Sequence, residues 1–197
     1  MLFRSAGGTP EHVFLLIAFG LIWVGLDVIA AGTTIGVAAA RFFGAWYIGL
    51  PLGLLASVHA IGGPAVTLLL LATIVVSDSS QYYSGRLLGR RPLAPAISPK
   101  KTVEGAIGGL VCATTFLAVV GPRVIDGRTA ASFVPLGLVL VTLGIGGDLF
   151  ESRLKRAAGL KDSSSLIPGH GGVLDRIDAL LFAIPPFYLY LRGLGGL

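Results

Sequence analysis

Residues 132–150 read SFVPLGLVLVTLGIGGDLF, an apolar run that meets no charge until Asp148. About 20 such residues, rising ~1.5 Å each, cross the ~30 Å hydrocarbon core of a bilayer as a helix. The rest of the chain has the same character, with 54% hydrophobic and only 13% charged residues and a mean hydropathy of +0.84. A soluble protein carries roughly a quarter charged residues. Six runs are predicted to span: 12–31, 43–58, 62–78, 102–121, 132–150 and 174–193. The expected fold is therefore an all-α, polytopic integral membrane protein. It has about six transmembrane helices and two long cytoplasmic loops, and forms a single transmembrane domain over 1–197. The runs are continuously apolar rather than alternating, which argues against a β-barrel, and helices satisfy their own backbone as the bilayer demands.

Some details remain local. The second run is short and holds Pro51, which predicts a tilt or kink there. A cleaved signal peptide is the alternative for the first run, with Arg4 before it and Ala30 and Ala31 at its end; Glu11 and the length of the run disfavour it. Cys112, the single cysteine, falls within a span and excludes an intrachain disulfide. His12, His59, Trp23 and Trp46 lie near expected interfaces as anchors.

With six spans the loops alternate, and Lys and Arg separate unevenly. One side receives Arg41, the set Arg86, Arg90, Arg91, Lys100 and Lys101, and the set Arg153, Lys155, Arg156, Lys161 and Arg176; the other receives Arg4, Arg123, Arg128 and Arg192. By the positive-inside rule the rich side is cytoplasmic, and both termini are outside. The net charge of +5 also favours contact with anionic lipid headgroups. Orientation alone explains many of these cations. It does not explain why the loops 79–101 and 151–173 also carry acids, Ser, Gly and Pro.

The densest stretch is SRLKRAAGLKDSSSLIPGHGGVLDRID, residues 152–178. It offers carboxylates at Asp162, Asp175 and Asp178, with Asp148 and Glu151 just upstream, among clustered cations. Such a mixture suits a magnesium nucleotide, because carboxylates hold a hard cation and Lys and Arg neutralise phosphate. If the fifth span continues as helix, Asp148, Ser152 and Lys155 share one face. Asp175 and Asp178 share a face at the start of the sixth, where acids also suit the helix dipole. Pro168-Gly169-His170-Gly171-Gly172 is a loop able to bring N–H groups near phosphate. His170 there has no second His or Cys for zinc. In the earlier loop, Asp78 precedes Tyr82, Tyr83 and Arg86, and Ser98, Lys100 and Lys101 stand where a helix is about to start, a point that attracts anions. Ser98 or Thr102 also reads as the cap of that helix, with Glu104 nearby. Asp27, inside the first span, reads equally as a helix-end or a catalytic acid.

These residues resemble the phosphatidate cytidylyltransferase family, the CDP-diacylglycerol synthases. The likeness rests on Ser152, Leu154-Lys155-Arg156, Lys161-Asp162, Ser164, Ile167-Pro168, His170-Gly171-Gly172 and Asp175-Arg176-Ile177-Asp178. Gly147-Asp148-Leu149-Phe150-Glu151-Ser152 and Ser98-Pro99-Lys100-Lys101-Thr102-Val103-Glu104-Gly105 also look like family motifs. Two departures stand out. The chain reads as a short form lacking some N-terminal spans, and Asp78-Ser79-Ser80-Gln81-Tyr82 stands where the family commonly has Asp-Thr-Gly-Ala-Tyr.

The resemblance implies transfer of a cytidylyl group from CTP to phosphatidate, giving CDP-diacylglycerol and pyrophosphate. The implied catalytic core covers about 78–105 and 147–178, with Asp148, Asp175, Lys155, Asp178 and Asp78 as catalytic residues. Asp148 and Asp175 would hold Mg2+, with a second cation also admissible. Ser98, Lys100, Lys101, Ser152, Arg156, Lys161, His170, Gly171, Gly172 and Arg176 would bind substrate. The expected partners are CTP, phosphatidate and membrane lipids, with a homodimer but no nucleic acid. The expected location is a bacterial inner membrane, with the site facing the cytoplasm. Competing readings are a CTP-dependent polyprenol kinase-like enzyme, a transporter or structural subunit, and a relative that binds without turnover.

Overall fold

The computed structural model describes residues 10–160, 163 and 172–194, with side chains from 18 onward and not at 194. Its elements run α1 (Pro10–Ala31), α2 (Ile35–Leu88), β1 (Pro92–Ala94), β2 (Ser98–Thr102), α3 (Val103–Val124), α4 (Ala130–Ala157) and α5 (Leu174–Leu194). The protein is a helical integral membrane protein. Three helices, α2, α3 and α4, are each long and apolar enough to cross a bilayer by length and composition. The second and third predicted runs both lie in α2. The break between them falls at Gly63, whose φ of 71° and ψ of −170° are not helical, followed by Pro64, which has no N–H to donate. Pro51, where the sequence predicted a kink, sits within the helix. Across the break, His59 Nδ1 and Thr67 Oγ1 lie 3.2 Å apart.

The chain gathers into two compact units, Met1–Leu50 and Pro51–Leu197. In the first, Gly32 takes a left-handed φ of 62° in the turn after α1. Asp27 then accepts from Arg41 Nη1 at 2.9 Å and from Thr33 Oγ1 at 3.0 Å. Its role here is to close a helical hairpin.

In the second unit Leu70, Leu117, Phe133, Leu140, Ile184 and Phe187 are fully enclosed, drawn from α2, α3, α4 and α5. Lipid tails are as apolar as leucine, so close packing holds such helices together more than water exclusion does. Small residues permit it. A Cβ at Gly105 of α3 would lie 2.7 Å from Gln81 O of α2, and one at Gly147 of α4 would lie 2.6 Å from Asp178 O of α5.

The all-α reading holds, but the loop expected at 79–101 is a correction: much of it is ordered. Helix α2 continues ten residues beyond Asp78 to Leu88, and β1 and β2 then pair antiparallel, with Pro92 opposite Thr102 and Ala94 opposite Ser98. Glu104 accepts from the backbone N–H groups of Arg90 at 3.0 Å and Arg91 at 3.2 Å, fastening the chain where it enters the hairpin. Thr102 caps α3, its Oγ1 accepting from Gly105 N at 3.1 Å.

Candidate functional site

Helix α2, both strands and the starts of α3 and α5 meet the late part of α4 around a cavity of about 540 Å³. Asp78, Gln81 and Arg86 face it from α2, Ser98, Lys100 and Lys101 from β2, Asp148 from α4, and Asp175, Arg176 and Asp178 from α5. These positions follow from helix geometry. Asp148 follows Gly147, the residue that allows α5 to approach with Asp178 O against α4. Asp175 and Asp178, three apart, share the inward face of the first turns of α5.

The acids are not equivalent. Asp148 is ion-paired with Lys101 and accepts from Ser152 Oγ at 3.4 Å. Its charge acts on both Asp78 and Asp178, and Lys101 offsets part of that repulsion at each. Lys101 thus pairs directly with one carboxylate and offsets the charge of two more. Asp178 is buried and its Oδ1 accepts from Ala179 N at 2.7 Å. Asp78 accepts from Gln81 Nε2 at 3.3 Å, and the same amide donates to Ser77 Oγ at 3.1 Å.

Asp175 has a different set of partners. Its Oδ1 accepts from Lys155 Nζ at 2.5 Å, and its Oδ2 accepts from Ser163 N at 3.0 Å, Ser163 Oγ at 2.8 Å and Gly172 N at 2.7 Å. Lys155 also pairs with Glu151 Oε2 at 2.5 Å.

The structure thus brings Asp78, Ser98, Lys100, Lys101, Asp148, Asp175, Arg176 and Asp178 to one cavity. Helix α4 does continue past Asp148, and Ser152 meets that acid. Lys155 turns instead toward Glu151 and Asp175 and does not line the cavity, and neither does exposed Arg156. Gly172 contributes its N–H to Asp175. Lys161, His170 and Gly171 lie outside the described residues. Sequence reasoning counted Glu151 only among the acids suited to a cation and gave no role to Gln81 or Ser163. Ser163 carried no signal of its own in a polar stretch. Glu151 stands one turn before Lys155, a spacing that signals an ion pair.

A phosphate ester is multiply charged and needs cations and donors held in place, and a cavity with basic and acidic groups on facing elements supplies both. Comparison with known proteins gives the same indication. The chain is 48% identical over 130 residues to a phosphatidate cytidylyltransferase of Haemophilus influenzae, covering 62% of this chain and 45% of that one. It is 42% identical over 142 residues to one of Thermotoga maritima, covering 68% and 52%, and 36% identical over 197 residues to one of Pseudomonas aeruginosa, covering 94% and 72%. The chain thus spans about half the length of the first two relatives. The profile of the Cytidylyltransferase family matches residues 2–194, and the chain belongs to that family.

Proposed function

We propose that the chain transfers the cytidylyl group of CTP to phosphatidate, releasing pyrophosphate and forming CDP-diacylglycerol. The supporting observation is the convergence of Lys100, Lys101, Arg86 and Arg176 with Asp78, Asp148 and Asp178 on one cavity. An oxygen of the lipid phosphate attacks the α-phosphorus of CTP, and the bond from that phosphorus to the β-bridging oxygen breaks as pyrophosphate leaves in line. The attacking phosphate monoester has a second pKa of about 6, so it is already largely ionised near neutral pH. The protein's task is to hold two anionic groups together against their repulsion. Lys100, Lys101, Arg86 and Arg176 neutralise them, and Ser98 adds a hydroxyl donor.

The carboxylates fit Mg2+. Among the described residues no three His, Cys, Asp or Glu side chains form a metal cage, and Mg2+ is characteristically bound by one or two carboxylates together with substrate phosphates. Asp148 and Asp178 would hold it, with Asp78 facing the same space. Asp175, assigned to the metal from sequence, has both oxygens engaged by donors. Bound there, Mg2+ would lower the charge of the phosphates and favour departure of pyrophosphate.

The same reading places the cavity at the cytoplasmic side of a bacterial inner membrane, on the excess of Lys and Arg in its loops. Two copies packing through Gly- and Ala-rich faces would make the dimer. The test is the chain in detergent micelles or nanodiscs with CTP, phosphatidate and Mg2+. Pyrophosphate and a liponucleotide should appear in equal amounts. Release of CDP would instead identify a kinase, and absence of all three products would overturn both readings.

A further inference from the structure

We propose that Glu151 is a positioning residue of this site, acting through Lys155 on Asp175. Its side chain is 1% exposed, Lys155's is 17% and Asp175's is 10%. The Lys155 ammonium, on α4, lies 2.5 Å from Glu151 Oε2 and 2.5 Å from Asp175 Oδ1 of α5. Beyond that ion pair neither Glu151 oxygen has a hydrogen-bond partner among the described residues, and the Asp175 carboxylate repels Glu151 across the shared ammonium.

A Glu and a Lys one helical turn apart usually form a solvated surface pair of little consequence. Burial changes that. An enclosed carboxylate without a counter-charge is strongly unfavourable, so Glu151 keeps the ammonium beside it. Lys155 is then committed between two helices and is not available to swing toward the cavity as a phosphate ligand.

Among the described residues of this cluster, one ammonium faces two carboxylates, which leaves negative charge for other donors to answer. The N–H groups of Ser163 and Gly172 and the Ser163 hydroxyl answer it, all donating to Asp175 Oδ2. Two backbone positions nine residues apart are thereby fastened to the first turn of α5, the turn that presents Arg176 and Asp178 to the cavity. Glu151 does not line the cavity. It acts by fixing where Lys155 stands, and so where Asp175 gathers its donors.

The test uses the full chain in nanodiscs with Glu151→Gln, which keeps shape and loses charge, and Glu151→Asp, which keeps charge. One arm is amide hydrogen exchange at Ser163 and Gly172. The other is kcat and KM for CTP, and only this arm rests on the proposed function. In E151Q, exchange at both amides should rise about tenfold, in the way local opening reports local stability. Its kcat should fall about tenfold with KM within about twofold, the pattern of a group that acts on the transition state without touching substrate. E151D should recover part of both. Wild-type exchange and wild-type kcat in E151Q would overturn the proposal, as would a loss of thermal stability with kcat intact. If E151Q does not fold, the double variant Glu151→Leu with Lys155→Met, which buries no charge, replaces it. Slow exchange at Ser163 and Gly172 in that variant would also overturn the proposal. A wild-type chain that makes no liponucleotide would sink the proposed function and leave the exchange arm to decide this inference alone.

Discussion

The Lys101 ammonium at the end of β2 is ion-paired with the Asp148 carboxylate of α4, joining two segments far apart in the chain. The pair forms one corner of the cavity, with Asp78 and Asp178 close enough to share the same ammonium electrostatically. Lys101 offsets the charge of three carboxylates, and in the proposed reaction it would also present charge to an incoming phosphate.

Replacing Lys101 with Met should therefore lower kcat/KM for CTP by about 10–100-fold, the range expected for loss of one charge-assisted contact of about 1.5–3 kcal/mol. Lys101→Arg should recover part of it. Initial-rate kinetics over a range of CTP concentrations provides the check.

The carboxylates should separate by their response to metal. Asp148→Asn and Asp178→Asn should each reduce turnover by about 100-fold or more and shift the rate to higher Mg2+ concentration, because ligand and charge are lost together. Asp175→Asn should also reduce turnover, while leaving the Mg2+ midpoint near wild type, since its oxygens are engaged by Lys155, Ser163 and Gly172. Rates titrated with Mg2+ distinguish the two patterns. A midpoint shift in Asp175→Asn would return that residue to the metal.

Two adjacent glycines should behave in opposite ways. A Cβ at Gly147 would meet Asp178 O at 2.6 Å and Phe182 Cδ2 at 2.9 Å, whereas one at Gly146 meets nothing within 4 Å. Gly147→Ala should destabilise by about 1–3 kcal/mol through overpacking. Gly146→Ala should be neutral or stabilising by up to about 1 kcal/mol through helix propensity. Thermal unfolding in one detergent compares them, and turnover should fall only in Gly147→Ala.

Glu104 fastens the start of the hairpin through two N–H groups. Glu104→Ala should make the amides of Arg90 and Arg91 exchange severalfold faster, while Gly105 N stays protected by Thr102. Exchange measured residue by residue tests both halves.

Most of the helical layout was legible because bilayer length and apolar content are written directly in the residues. The starts of α3, α4 and α5 and the ends of α3 and α5 fall close to the predicted runs, whereas α4 runs on to Ala157 and α2 divides at Gly63, just inside the third predicted run. The stretch after Asp78 was misread for a physical reason. Hydropathy reports transfer into lipid, and a helix such as Ser79–Leu88 can leave the hydrocarbon region without losing its backbone hydrogen bonds. What sustains it is tertiary: Gly85 and Gln81 pack against Gly105 of α3, a contact no local window contains. The hairpin escaped notice because strands of three and five residues rich in Pro and Lys carry no alternating signal.

The site divided in the same way. The convergence of Asp148, Asp175 and Asp178 was readable from spacing and from motif. The partners were not, since a sequence does not say which of several carboxylates a lysine will choose. Lys155 took Glu151 and Asp175, and Lys101 took Asp148.

The continuation of α2 past Asp78 affects how two such different substrates can meet. About 15 Å of helix, at ~1.5 Å per residue, separates Asp78 from Leu88, and α4 likewise runs on from Asp148 to Ala157. On α2 the cavity wall runs from Asp78 to Arg86, two turns on, whereas α4 lines it with Asp148. In the proposed reaction a water-soluble nucleotide and the headgroup of a glycerolipid would have to meet in this cavity. The fatty tails would then stay in their own leaflet, and only the phosphate would enter the cavity.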